Sequence, residues 1–247
     1  TAFVAAALEI ARRKRAIFPV RPCSSVTSPV NETTALRVSV AEASRRLAAE
    51  GLLVGTAGNV SARSDDLVAV TATGVVLAGC TPEDITVVTT SGEVVAGALA
   101  PTSELDLHLG VYADTGTAAV VHTHAPYSTA VACVLDELPV LHYQQLLLGG
   151  AIRVAPYATF GTAELAAHVR DALDGRQAAL MANHGSVAVG GSLDQAVENA
   201  LLLEWLAQLH HRASSLGTPR PLTDEQQVAV IEAAIRRKYG TPQENPA

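Results

Sequence analysis

An α/β domain, a sheet covered by helices on both faces, is the fold class that the sequence predicts. Strand-like runs of Val, Ile and Thr alternate with helix-like apolar spacings from end to end, with no internal repeat and no linker after residue 35. That mixing belongs to one layered unit rather than to segregated all-α and all-β parts. The 247 residues are 49% hydrophobic and 17% charged, enough to bury a sizeable core and unlike a disordered or fibrous chain. Aromatic residues contribute only 4%, so the core is expected to consist of small interdigitating Ala, Val and Leu side chains. With 24 acidic against 17 basic residues and a net charge of −7, the composition argues against a nucleic-acid-coating or membrane-surface role.

Taken in order, residues 1–33 read as an irregular N-terminal extension ahead of a domain over 34–247, because Pro19, Pro22 and Pro29 stand among short polar clusters. The first helix is expected from about Thr34 to Glu50, with Leu36, Val40, Ala43 and Leu47 on one face and Gly51 as its stop. Leu67–Thr71, Ile85–Thr89 and Glu93–Ala96 read as strands between turn residues. Thr102 or Ser103 is expected to cap a helix whose apolar positions are Leu105, Leu109 and Tyr112. A buried strand over Ala118–His124 and a short helix over Ser128–Leu135 follow. Further on come a strand near Ile152–Ala155, a helix from Thr162 to Leu173, and apolar strands at Ala178–Ala182 and Ser186–Val189. Ser192 with Gln195, and Thr223 with Gln226, are capping boxes that open the last two helices, which are expected to stop near Gly217 and Gly240.

Three short segments carry metal-ligand chemistry. His122 and His124 lie two apart on a strand, where alternation turns both imidazoles to one side. Two neutral imidazoles supply half of a tetrahedral zinc site, although a pair of satisfied polar histidines at a strand end has the same spacing. His184, in Asn183-His184-Gly185, also ends an apolar strand, and Glu104 opens a helix, where an acidic residue simply favours the helix dipole. Taken together they make three imidazoles and a carboxylate, a set that fits one zinc ion.

A second group of segments is rich in small donors: Gly55-Thr56-Ala57-Gly58-Asn59, Thr71-Ala72-Thr73-Gly74 and Thr102-Ser103. Glycines let backbone N–H groups approach an anion, and hydroxyls add donors, so these form a plausible phosphate cradle. Each segment alone is equally an ordinary turn, and none contains Lys or Arg. Cys23, Cys80 and Cys133 are odd in number and widely spaced, against a disulfide framework. No apolar run approaches the length of a membrane span, and the Arg12–Arg15 cluster follows rather than precedes the apolar Ala2–Ile10, so a cytoplasmic protein is expected.

The ordered motifs Gly-Thr-Ala-Gly-Asn-Val-Ser, Thr-x-Thr-Gly, Pro-Thr-Ser-Glu, Val-Val-His-Thr-His-Ala, Ala-Pro-Tyr-Ala-Thr-Phe-Gly-Thr and Asn-His-Gly resemble the class II aldolase/epimerase family over about residues 34–240, and most of all its L-fuculose-1-phosphate aldolase branch. The resemblance implies a mainly antiparallel sheet in a three-layer sandwich. It implies one Zn2+ per subunit on Glu104, His122, His124 and His184, and a phosphate site at Thr56, Gly58, Asn59, Thr73, Gly74, Thr102 and Ser103. It further implies that Glu104 is a catalytic base, that Tyr143 assists at the aldehyde oxygen, and that Tyr239 reaches the substrate from the tail. A homotetramer with active sites between subunits, acting on a small phosphorylated sugar, completes what it implies.

Lys14 and Lys238 are the chain's lysines, one in the extension and one in a basic helix end. A Schiff-base aldolase needs a desolvated lysine, so the metal route is the one this sequence can follow. The reaction expected is reversible cleavage of a ketose 1-phosphate to dihydroxyacetone phosphate and a small aldehyde. Rival activities of the same superfamily are a pentulose-phosphate 4-epimerase, a methylthioribulose-phosphate dehydratase and a sugar-acid phosphate decarboxylase. The epimerase branch carries Asp where Glu104 stands, which favours aldolase. A non-catalytic module of the adducin-head kind lacks the histidines that are present here.

Overall fold

Alternation of Val, Ala and Thr builds the sheet that positions everything else. In the structure, a computed structural model describing residues 29–237, the strands are β1 (Asn59–Ser64), β2 (Leu67–Thr71), β3 (Ile85–Thr89), β4 (Val94–Ala96), β5 (Ala119–Thr123), β6 (Glu137–Leu138), β7 (Ile152–Ala155), β8 (Ala178–Met181) and β9 (Gly185–Gly190). Among the described residues they form one nine-stranded sheet in the order β4-β3-β2-β1-β5-β9-β8-β7-β6. Neighbours run antiparallel except β7 and β8, which are parallel. The β1–β2 connection is a tight Asp65-Asp66 turn in which Asp65 takes φ 50°, a conformation that an Asp side chain tolerates.

Helices α1 (Pro29–Ala49), α2 (Leu105–Asp114), α3 (Pro126–Ala132), α4 (Ala163–Leu173), α5 (Leu193–Leu216) and α6 (Asp224–Arg236) surround the sheet. Val121 of β5 packs into a core with Val40 and Leu47 of α1, Val131 of α3 and Leu203 of α5. The adjacent Val120 packs into a second core with Leu107 and Val111 of α2 and Leu165 and Val169 of α4. Successive strand residues therefore feed opposite cores, and the expected three layers and mainly antiparallel sheet are present.

Several boundaries differ from the sequence reading. Helix α1 begins at Pro29, ahead of the expected Thr34; a proline fits a first turn, where its missing N–H has no intrahelical partner to lose. Neither Thr102 nor Ser103 caps α2. Its cap position is Glu104, whose side chain makes no cap hydrogen bond. The fully buried face of α2 is Leu107, His108, Val111 and Tyr112. Of the expected Leu105-Leu109-Tyr112 stripe the two leucines are only partly buried, packing at the margin of the same core. Strand β1 was hidden because Asn59-Val60-Ser61 lies in a segment that reads as a donor-rich turn. The α6 capping box stands as read, with the Thr223 and Gln226 side chains each accepting from the other's N–H. At α5, Ser192 accepts from Gln195 N–H, but the Gln195 side chain accepts from Gly191 N–H instead of closing the box. Thr162 also caps α4, accepting from Leu165 N–H.

Short α3, which follows the histidine strand, is tied down from outside. The Glu204 carboxylate of α5 accepts the Tyr127 N–H at 2.9 Å, the Ser128 N–H at 2.8 Å and the Ser128 hydroxyl at 2.7 Å, satisfying N–H groups that a helix start leaves open. Glu204→Ala is expected to lower stability by about 0.5–2 kcal/mol, the range for losing an N-terminal cap, with urea unfolding as the measurement.

Candidate active site

Strand β5 delivers His122 to the α2 side of the sheet, and the turn just after it carries His124. The register sets Asn59 of β1 opposite His122 on one side, and Val187 of β9 on the other. Two glycines allow the flanking backbones to close in. A Cβ on Gly58 (φ +96°) would sit 2.8 Å from the His122 carbonyl oxygen, and one on Gly185 would sit 2.3 Å from that of Thr123. Only a residue without a side chain permits either approach. Gly185 begins β9, so the β8–β9 turn, with Asn183 at φ 55°, drops His184 beside the other two histidines.

The three rings form a mutual cluster. Ring centroids are 4.8 Å apart for His122–His124, 4.9 Å for His122–His184 and 4.8 Å for His124–His184. Their potential ligand nitrogens all lie within 4.8 Å of one another. His122 Nδ1 lies 2.9 Å from the Ser186 carbonyl oxygen. A carbonyl only accepts, so Nδ1 carries a proton and the ring turns Nε2 toward the cluster. Burial lowers His124 to about 4 and moves His184 in the same direction, so both rings are neutral at physiological pH.

Glu104 completes the cluster. It is 6% exposed, with Oε2 3.1 Å from His122 Nε2 and Oε1 3.7 Å from His184 Nε2. Burial works against its charged form, but His122, the Asn59 hydrogen bond and His184 outweigh it and hold the carboxyl well below the usual carboxylate range. Oε1 is buried without a hydrogen-bond partner. Three clustered imidazoles beside a buried carboxylate with one orphaned oxygen fit a divalent cation of the zinc type, which would engage all four residues.

Behind Glu104 lies a polar chain that the sequence reading missed. Asn59 Nδ2 donates to Glu104 Oε2 at 2.9 Å, and Asn59 Oδ1 meets His108 Nε2 in a short hydrogen bond. His108 Nδ1 is 2.7 Å from Ser61 Oγ, which is 2.7 Å from the Tyr112 hydroxyl; the Arg63 guanidinium covers the Tyr112 ring at 5.1 Å. A signal was available: Glu104, His108 and Tyr112 recur every four residues along a helix, while Asn59, Ser61 and Arg63 alternate along a strand. Leu109 was counted in the apolar stripe instead, which hid His108.

A cavity of about 300 Å³ opens in front of the cluster. Thr56, Gly58, Asn59, Thr73, Gly74, Thr102 and Ser103 all line it, together with Glu104, His124 and His184. Backbone N–H groups of Thr73 and Thr102 are taken by the Ala100 and Thr71 carbonyls, so hydroxyls are what these two offer the cavity. The Asn59 amide bridges Glu104 and His108, with one N–H left over. No Lys or Arg is among the lining residues. Tyr157 and Phe160, 64% and 65% exposed, stand at the cavity's edge. Tyr143 lies elsewhere: it is 52% exposed in the 3₁₀ segment Tyr143–Leu148, its ring 4.5 Å from that of His142, and it does not line this cavity. Tyr239 lies outside the described residues.

A three-layer α/β domain carries a histidine-carboxylate cluster beside a donor-lined cavity, and comparison with known proteins gives it a family. Residues 38–211 match the model of the class II aldolase and adducin N-terminal domain. A 5-methylthioribulose-1-phosphate/5-deoxyribulose-1-phosphate aldolase of Rhodospirillum rubrum is 38% identical over 200 residues, 80% of this chain and 90% of that protein. An L-fuculose phosphate aldolase of Escherichia coli K12 is 39% identical over 183 residues, 73% of this chain and 85% of that protein. A solved L-fuculose 1-phosphate aldolase superposes with a TM-score of 0.77 at 34% identity, covering 81% of this chain and 95% of that one. The chain belongs to the class II aldolase and adducin family, and it stands with that family's enzymes, the aldehyde-lyases. Among the described residues, no helix is long and apolar enough to cross a membrane.

Burial of His108 has a consequence for stability. Desolvation lowers its pKa from 6.5 to about 3 in the folded protein, so the unfolded chain takes up a proton that the folded one refuses. Stability should therefore fall as pH drops from about 6.5 toward 3, with this histidine contributing up to about 1.4 kcal/mol per pH unit. Urea unfolding across that window is expected to show a shallower acid dependence in His108→Gln than in the parent.

Proposed function

We propose that this chain is a class II aldolase that reversibly cleaves a ketose 1-phosphate to dihydroxyacetone phosphate and a small aldehyde. The observation that carries the reading is the buried Glu104 carboxylate, with one oxygen unpartnered, facing three histidines at the head of a donor-lined cavity. His122, His124, His184 and Glu104 would hold a divalent ion, with zinc favoured by the nitrogen-rich set. When bound, such an ion supplies Lewis acidity that stabilises negative charge left on the donor fragment as the carbon–carbon bond breaks.

The remaining work falls to the chain's own groups. Thr56, Gly58, Asn59, Thr73, Gly74, Thr102 and Ser103 would bind the phosphate by neutral dipoles. The free oxygen of Glu104 would move the proton at the reacting carbon of dihydroxyacetone phosphate. In cleavage, a base takes the proton of the hydroxyl on the departing carbon, its oxygen becomes the aldehyde, and the bond electrons pass to the donor fragment, which is then protonated. Tyr143 is proposed for that aldehyde oxygen. Since it lies outside its own chain's cavity, it would act from a neighbouring copy, in keeping with a homotetramer whose sites lie between subunits. Tyr239 is proposed to reach the same end of the substrate from the tail. Exposed Tyr157 and Phe160 offer an apolar edge for the end of a deoxy aldehyde or ketose, the kind of substrate that the relatives' names describe.

The deciding measurement is a screen of dihydroxyacetone phosphate and of unphosphorylated dihydroxyacetone against lactaldehyde-type aldehydes, with product stereochemistry determined. Metal-loaded protein is expected to join the phosphorylated donor to at least one aldehyde, to lose that activity in chelator, and to turn over the unphosphorylated donor far more slowly. His122→Ala or His124→Ala should bind little metal. Full activity in rigorously metal-free protein would sink the reading.

Glu104→Gln separates base from ligand. The amide keeps the shape and lacks a basic oxygen, so exchange of the dihydroxyacetone phosphate proton with solvent deuterium is expected to fall by at least about 100-fold, the scale of general-base catalysis. Exchange at the parent rate would assign the base elsewhere.

A further inference from the structure

His108 takes no part in the reaction just described and cannot touch substrate. It is fully buried on α2, on the far side of Asn59 from Glu104. The hydrogen bonds around it nevertheless have a single direction, set from the site outward. The ionised Glu104 Oε2 only accepts, so the Asn59 amide must turn its NH2 toward it and its carbonyl oxygen toward His108. That oxygen also only accepts, so His108 carries its ring proton on Nε2. In a neutral ring Nδ1 is then an acceptor, which makes Ser61 the donor at 2.7 Å. The Ser61 oxygen is left to accept from the Tyr112 hydroxyl at 2.7 Å. Reversing any one member would set two donors or two acceptors face to face in a buried place.

We propose that His108 is a positioning residue that locks the Asn59 amide, and through it the Glu104 carboxylate, in the orientation that sets Oε2 beside His122 and leaves Oε1 unpartnered on the His184 side. Asn59 has two amide rotamers of equal shape, and only one presents a donor to Glu104. The Nε2–H of His108 selects that rotamer, and Ser61 with Tyr112 selects the ring tautomer. Glu104 Oε2 is thereby pinned while Oε1 stays available, the asymmetry that a carboxylate needs to be both ligand and base. The inference rests on that reading of Glu104, and it adds a group that neither binds metal nor contacts substrate.

The test compares His108→Leu, which removes the ring proton, with His108→Gln, whose amide nitrogen can donate from the position of Nε2. Zinc affinity is read by competition with a chromophoric chelator, tautomer state by nitrogen NMR of the histidine rings, and kcat and KM are taken separately for ketose phosphate cleavage. The parent is expected to show His108 in the neutral Nε2–H form. His108→Leu should lower zinc affinity and kcat by about 10- to 100-fold, the scale for outer partners of metal ligands, with KM changed by less than about threefold. His108→Gln should restore most of both. Zinc affinity and kcat unchanged in His108→Leu, or a folded His108→Gln no better than His108→Leu, would overturn the proposal. Should His108→Leu fail to fold, Ser61→Ala keeps the ring and removes only the donor at Nδ1. A second tautomer with a smaller loss of zinc affinity is then expected, and one tautomer with parent affinity would overturn it. A parent that cleaves no ketose phosphate, yet whose zinc affinity still depends on residue 108 in this order, would refute the aldolase reading and leave the positioning role standing.

Discussion

An ionised carboxylate almost withdrawn from water is the constraint around which this molecule is arranged. Taking such a charge into a protein interior costs several kcal/mol unless it is paired and hydrogen-bonded. Glu104 has Asn59 and His122 at one oxygen and His184 near the other. Those partners come from β1, from the end of β5 and from the β8–β9 turn, three places far apart in the chain. The sheet order that brings β1, β5 and β9 side by side is therefore also the order that makes a buried Glu104 tolerable.

Close approach of backbones is the second requirement, and glycine supplies it where it matters. Gly58 and Gly185 lie against the carbonyls of His122 and Thr123 from opposite sides, so the histidine strand is gripped between two side-chain-free neighbours. On the α2 side, residues four apart on the helix mesh with residues two apart on β1: Glu104, His108 and Tyr112 against Asn59, Ser61 and Arg63. Polar meshing of this kind fixes register more strictly than apolar contact, because every slip strands a donor or an acceptor. The apolar packing on either side, mostly Val, Ala and Leu, is more permissive of small displacements.

The parts of this arrangement that were legible in the sequence are those with local signatures. Capping pairs such as Ser192 with Gln195 mark a helix start within four residues, and the alternation of Leu67–Thr71 and Ile85–Thr89 marks strands to the residue. The spacing of His122 and His124 shows a shared strand face without reference to anything distant. Strand β1 was not legible, because Asn59 and Ser61 owe their strand conformation to pairing with β2 and β5 while their own preference is for turns. His108 is legible only in part. Its four-residue spacing from Glu104 and Tyr112 marks a shared helix face, but only the partner strand shows that this face is interior and polar. The family resemblance supplied the metal and phosphate residues as a set, yet it said nothing of which side chains stand behind them, and the separation of Tyr143 from its own chain's cavity is visible only in three dimensions.

Among the described residues that line the cavity there is no Lys or Arg, and this has a kinetic side. An anion approaching this chain meets a net charge of −7 and, in that lining, no Lys or Arg side chain. Dipoles of hydroxyl and amide groups fall off much faster with distance than charges do, so capture of an anion here depends on contact rather than on guidance through solution. Encounter would then gain little from long-range attraction to these lining residues. A cavity lined in this way holds an anion by many short-range contacts, each of which acts only once the anion has arrived.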